Sequence, residues 1–239
     1  MNRFSHHLSL LQMPVFALDE NTLLFPDPRL ANEDGLLAVG GKLSADWLLL
    51  AYENGIFPWF NEGDPILWWS VDPRSVLLPN EVHMQKSMRP YLNSDKFEFR
   101  LDTEFETVVD LCAKSPGRGK EHTWISKEMA DAYLELHELG FAHSAEIWKG
   151  NELVGGLYGV SLGSVFFGES MFSLEKNMSK LALIRLANFL VDENFKFIDC
   201  QVPTDHLERM GAKPVERDKF LNMLKEALHD PTMRGQWKL

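Results

Sequence analysis

The chain has 239 residues, 45% hydrophobic and 25% charged, a composition that supports an ordinary buried core and argues against disordered, collagen-like and coiled-coil classes. A formal net charge of −11 and a pI near 5.2 argue against a non-specific nucleic-acid binder and leave room for a local basic patch. Two cysteines, Cys112 and Cys200, make no disulfide framework, and no uninterrupted apolar run approaches a membrane span.

In chain order, Leu8–Leu18 is apolar but broken by Gln12 and Pro14 and followed by Asp19-Glu20-Asn21. It is expected to belong to the fold, with no secretory signal, and both cysteines to be reduced thiols in the cytoplasm. Residues 21–79 are rich in Pro, Gly, Trp and Asp. Within them, Ser44 to Gly55 predicts a helix: Ser44 as N-cap, Trp47, Leu48, Leu50 and Ala51 as the apolar face, Gly55 as the stop. Ile56–Phe60 contains Pro58 and predicts a shaped loop or edge segment, and Trp68-Trp69 a short strand. Lys96–Arg100 alternates as a strand. Thr103–Ala113 predicts a helix with Thr103 and Glu106 as a capping box. Lys114–His122 is a polar Gly/Pro loop, and Ser126 caps a second helix that Gly140 closes.

The remainder predicts a β-meander, over Ser144–Lys149, a turn at Gly150-Asn151, Glu152–Val160, a turn near Gly163, and Val165–Phe172. An apolar helix over Met178–Leu190 and a strand over Phe195–Val202 follow. This order predicts an α+β fold, with a smaller N-terminal domain over residues 1–90 and a larger one over 91–239.

Standard catalytic signatures are absent: there is no G-x-S-x-G, Walker loop or dinucleotide fingerprint. His137-Glu138 with His143 lacks zinc-protease spacing, and Cys200 reads as core. Two carboxylates are anomalous. Asp199 lies inside an apolar strand, where a charge needs a partner. Alternation aims it with Gln201 at one face and Ile198 and Cys200 at the other; the alternative is a strand-end Asp bonded to a loop. Glu169, between Gly168 and Ser170 in the apolar run Ser164–Phe172, marks either a recessed site or a bulge with an exposed Glu.

Six segments complete the reading. Gly55–Phe60 (GIFPWF), Pro65–Ser70 (PILWWS), Thr123–Ile125 (TWI), Gly155–Gly159 (GGLYG), Gly168–Ser173 (GESMFS) and Ile198–Gln201 (IDCQ) resemble, in order and spacing, those of the leucyl/phenylalanyl-tRNA–protein transferase family, over nearly the whole chain. The resemblance implies a C-terminal domain with a GNAT-like acyltransferase fold. It implies transfer of Leu or Phe from aminoacyl-tRNA to proteins beginning with Arg or Lys, marking them for degradation by the N-end rule, without a cofactor or a metal. It also implies an apolar pocket at Leu157, Phe166, Leu186 and Ile198 for the donor side chain, and Trp59 and Trp124 near the tRNA end. Glu169 and Gln201 would lie near the acceptor, with Asp199 assisting its amine, so that Asp199 and Gln201 form the catalytic pair.

Lys86, Arg89, Lys114, Arg118, Lys120 and Lys127 precede the meander and offer a basic strip for the acceptor stem. Two rivals remain. A coenzyme A-dependent acetyltransferase carries a Gly-rich pyrophosphate loop before its long helix, but Ser173–Ser179 here has no glycine. A non-catalytic RNA-binding protein would leave Asp199, Gln201 and Glu169 without a purpose.

Overall fold

The computed structural model describes residues 15–114 and 125–239. A small sheet near the N-terminus holds β1 (Phe16–Leu18), β2 (Leu36–Gly40), β3 (Phe57–Pro58) and β4 (Leu67–Trp69) in the order β1-β2-β4-β3. The Pro58-containing segment is thus an edge strand, where its missing N–H costs no ladder bond. Helix α1 (Ala45–Glu53) buries Trp47, Leu48, Ala51 and Tyr52 and is followed by Gly55 at φ +70°. Ser44 holds the N-cap position without a side-chain bond to the helix.

The larger sheet has the order β11-β5-β10-β9-β8-β7-β6. Its meander is β6 (Glu98–Leu101), β7 (Ala142–Lys149), β8 (Glu152–Leu162) and β9 (Val165–Ser173), all antiparallel. After β9 the chain crosses through α5 (Met178–Asp192) and returns as β10 (Phe197–Asp199), parallel to β9. Two strands extend the sheet beyond β10: β5 (Arg74–Leu77), which precedes residue 90 in the chain, and β11 (Lys213–Val215), both paired antiparallel. The α+β class and the small N-terminal unit expected from the sequence are both present.

Strand alternation divides the core. Phe167 and Phe197 face α1, α3 (Phe105–Ala113), α4 (Lys127–Glu138) and α7 (Arg217–Ala227). Leu157, Phe166 and Ile198 face α5 on the other side. Short helices α2 (Arg89–Leu92) and α6 (Asp205–Arg209) complete the chain.

Two local expectations are corrected. The N-cap of α3 is Glu104, without a side-chain cap bond. The amides of Thr103 and Glu104 both donate to Oε1 of Glu146, at 2.9 Å each. A buried carboxylate on β7 thus accepts the Thr103 amide that the Glu106 side chain of the expected box would have taken, and the Glu104 amide beside it. Strand β10 is also shorter than the expected Phe195–Val202: it ends at Asp199, and Gln201 turns at φ +53°. By contrast, Ser126 caps α4 as expected, its hydroxyl accepting from the Met129 amide at 3.2 Å.

Candidate active site

A cavity of about 500 Å³ opens where β9 outruns β10. Its lining is largely apolar, with Leu157, Phe166, Met171, Leu183 and Ile198, and its polar members include Glu169, Gln201 and His206. Trp59, after β3, stands at the wall with 46% of its surface exposed.

A β-bulge aims Glu169 into this space. Tyr158 pairs with Ser170 and Gly159 with Gly168, so Glu169 is the extra residue. Bulges re-aim a side chain in this way beside active sites. The bulge needs Gly159: a Cβ there would collide with the Phe167 carbonyl and lie 2.7 Å from ring atoms of Phe166. Half-buried, Glu169 accepts a hydrogen bond from the Tyr133 hydroxyl at 2.7 Å and one from Gln201 Nε2 at 3.3 Å. Tyr133 in turn shares a 2.7 Å hydrogen bond with Tyr52. Burial pushes the Glu169 carboxyl up to about 7, while the Tyr133 hydrogen bond pulls it down. Both phenols are raised well above their usual value by burial and then by the charge of Glu169.

Beneath lies a sealed ion pair. Asp199 Oδ1 accepts from Arg74 Nε at 2.9 Å and Oδ2 from Arg74 Nη2 at 2.7 Å, with the side chains 0% and 1% exposed. The guanidinium sits between the rings of Phe57 and Phe220, at 4.6 and 4.7 Å. Asp199 Oδ1 also accepts the Gln201 amide at 2.9 Å. Alternation held to Asp199, which faces away from the cavity while Ile198 and Cys200 line it; the left-handed turn then brings Gln201 back into the cavity wall. The two residues expected on one face are therefore joined through the backbone of one and the carboxylate of the other.

The family model described as leucyl/phenylalanyl-tRNA protein transferase matches residues 76–225, and the model of that family's N-terminal domain matches residues 41–72. The chain belongs to the leucyl/phenylalanyl-tRNA protein transferase family. A leucyl/phenylalanyl-tRNA–protein transferase of Desulfatibacillum aliphaticivorans is 53% identical over 95% of this chain and 97% of its own. One from Myxococcus xanthus is 50% identical over 94% and 97%. Among solved structures, a GCN5-related N-acetyltransferase from Kribbella flavida has a TM-score of 0.39 at 10% identity, covering 70% of this chain and 60% of that one.

The residues expected at the site do not all meet in one place. Leu157, Phe166, Ile198, Trp59, Glu169 and Gln201 all line the one cavity. Leu186 is 1% exposed and packs in the same apolar cluster, but Leu183, one helical turn earlier, is the α5 residue that lines it. Trp124, Arg118 and Lys120 lie outside the described residues. Of the remaining basic positions, Lys86 and Arg89 are exposed and without an ion pair among the described residues. Lys114 pairs with Asp110 at 2.6 Å and Lys127 with Asp131 at 2.7 Å.

Sequence reasoning missed Tyr52, Tyr133 and Arg74. The two tyrosines sit at apolar positions of amphipathic helices and read as core; only their pairing across α1 and α4 gives them a polar task. His206 was missed as well. Its imidazole is held below its usual value by burial and then by the charges of Lys180 and Arg209. Among the described residues, no group of three or more His, Cys, Asp or Glu side chains is placed to hold a metal ion, and no helix is long and apolar enough to cross a membrane.

Proposed function

We infer that the chain transfers leucine or phenylalanine from the 3′ end of aminoacyl-tRNA to the α-amine of an acceptor protein, and that the preferred acceptor begins with Arg or Lys. The observation that carries this reading is one cavity lined both by Leu157, Phe166, Leu183 and Ile198 and by the carboxylate of Glu169. The apolar lining suits a leucyl or phenylalanyl side chain. The carboxylate suits a cationic one.

The chemistry asks little of the protein beyond placement. The neutral amine nitrogen attacks the ester carbonyl carbon, the C–N bond forms, the bond to the ribose oxygen breaks, and the amine's proton ends on that oxygen. Proximity and orientation supply most of the acceleration. Gln201 reaches the amine from the cavity wall. Asp199, sealed behind it, acts as a positioning residue: its Oδ1 fixes the Gln201 amide and thereby the turn that presents the side chain. Trp59, with Trp124, stacks on the terminal adenine. Lys86, Arg89, Lys114, Arg118 and Lys120 carry the acceptor-stem phosphates, and the reaction runs in the cytoplasm. The product enters N-end-rule degradation.

The test offers labelled Leu-tRNA and labelled acetyl-CoA side by side, with peptides beginning in Arg, Lys or Ala. Label reaching only the Arg and Lys peptides, and only from the tRNA, is the expected result. Acetyl transfer without leucyl transfer contradicts it.

A further inference from the structure

The donor pocket has a second layer behind its wall, supplied by the C-terminal segment. Trp237 is 1% exposed and reaches Phe166 at a ring-centroid distance of 5.9 Å, with Phe189 at 5.2 Å and Phe195 at 5.7 Å around it. Its position is fixed from several sides. The Trp237 amide donates to Asp102 Oδ2 at 2.7 Å, and the indole N–H donates to the Met233 carbonyl at 3.0 Å. The indole stacks on His143 at 3.9 Å and 8° between planes, and His143 Nδ1 is itself held by Asp102 Oδ2 at 2.8 Å.

Phe166 is the point of transmission. Its ring forms cavity wall and is nearly closed to solvent, so packing behind it sets how far it stands from the cavity. On one side the ring packs over Gly159, where an added Cβ would lie only 2.7 Å from ring atoms. Behind it stands Trp237. Interiors are packed closely enough that removing atoms behind a wall lets the wall move or leaves a void.

We propose that Trp237 is a positioning residue that sets, through Phe166, the size of donor side chain the pocket accepts. This rests on the reading of the cavity as the site of the Leu or Phe side chain. A smaller residue at position 237 lets the Phe166 ring withdraw, which favours the bulkier phenylalanyl donor and loosens the fit of the leucyl one. A methylene-scale change in an apolar pocket alters discrimination by about 10-fold or more.

The experiment is an internal competition: one enzyme preparation, an equal mixture of Leu-tRNA and Phe-tRNA with different labels, and one Arg-starting peptide. The ratio of products is independent of the folded fraction, so it separates a specificity role from a merely structural one. Trp237→Phe and Trp237→Leu are expected to raise the Phe:Leu product ratio by about 10-fold. In a Phe166→Leu background the same change at Trp237 is expected to leave the ratio unaltered, because the transmitting ring is gone. An unchanged ratio in either single variant overturns the proposal, as does an equal shift with and without Phe166. If the unaltered enzyme transfers neither amino acid, it is the donor-pocket reading that fails.

Discussion

Arg74 on β5 and Asp199 on β10 grip each other through two parallel hydrogen bonds, of 2.9 and 2.7 Å, in a part of the sheet closed to solvent. Such a pair contributes little net stability while intact, yet removing one partner strands a buried charge at a cost of about 3–5 kcal/mol. Asp199→Ala is therefore expected to lower thermal stability markedly, and activity lost in that variant has to be referred to folded molecules. Measured that way, single-turnover transfer is expected to fall by about 100-fold, the scale of loss when a reacting group is misplaced by about 1 Å. A folded Asp199→Ala enzyme with wild-type single-turnover rates removes Asp199 from the reaction.

Glu169 gives the second prediction. With its carboxyl at about 7, the charge that would meet an Arg or Lys side chain develops as pH rises through neutrality. The apparent KM for an Arg-starting peptide is expected to fall across that range. In Glu169→Gln the dependence flattens to that of the acceptor's own amine, and the preference for cationic acceptors weakens. An unchanged acceptor preference in the variant contradicts the assignment.

The same carboxyl has a stability signature. Its folded value of about 7 stands above the ordinary 4.5. Between those pH values the unfolded chain loses this proton while the folded chain keeps it. The unfolded state then binds fewer protons, so this group makes stability fall as pH rises from 4.5 to 7, with no further loss above. The full amplitude is at most about 3 kcal/mol. Glu169→Gln is expected to remove that slope in denaturation midpoints recorded across the range, at the expense of acceptor selection.

Tyr133 tunes the value. Its hydroxyl donates to the ionised carboxylate at 2.7 Å and so favours the charged form. Tyr133→Phe deletes that bond, and the midpoint of the pH dependence in acceptor KM is expected to move upward. A downward or absent shift means that Tyr133 does not hold Glu169 in the working enzyme.

Much of this organisation is legible in the sequence, for reasons that vary by element. The meander, the apolar helix after it and the capped α4 follow from period-2 and period-3.6 patterning with turn residues in place. Glu169 was visible as a charge in an apolar run, and the bulge turns out to be the device that sends it inward. What was not legible depended on distant pairings. Arg74, far back in the chain, supplies the partner that Asp199 needed. Glu146 displaces the capping box of α3 from the neighbouring strand. The left-handed backbone at Gln201, a non-glycine residue, breaks an alternation that nothing local forbids. On α5, Leu183 and Leu186 share one face, and only the packing decides which of them meets the cavity.

The basic positions make the fifth prediction. Lys86 and Arg89 are exposed without ion pairs among the described residues, whereas Lys114 is engaged by Asp110. Each phosphate contact removed lowers the slope of log affinity against log salt by about one unit. The double change Lys86→Ala and Arg89→Ala is expected to reduce that slope by about two in filter-binding measurements with Leu-tRNA. If slope and affinity both stay put, the acceptor stem lies elsewhere.

The central claim is that one cavity brings the carbonyl carbon of an aminoacyl ester to a protein's N-terminal amine. Rapid-quench single turnover with labelled Leu-tRNA and an Arg-starting peptide tests it most directly, with mass analysis of the product. The expected result is leucine joined by a peptide bond to the peptide's first residue, with deacylated tRNA released in equal amount. Deacylation without a leucylated peptide, or no consumption of Leu-tRNA by a folded enzyme, contradicts the claim.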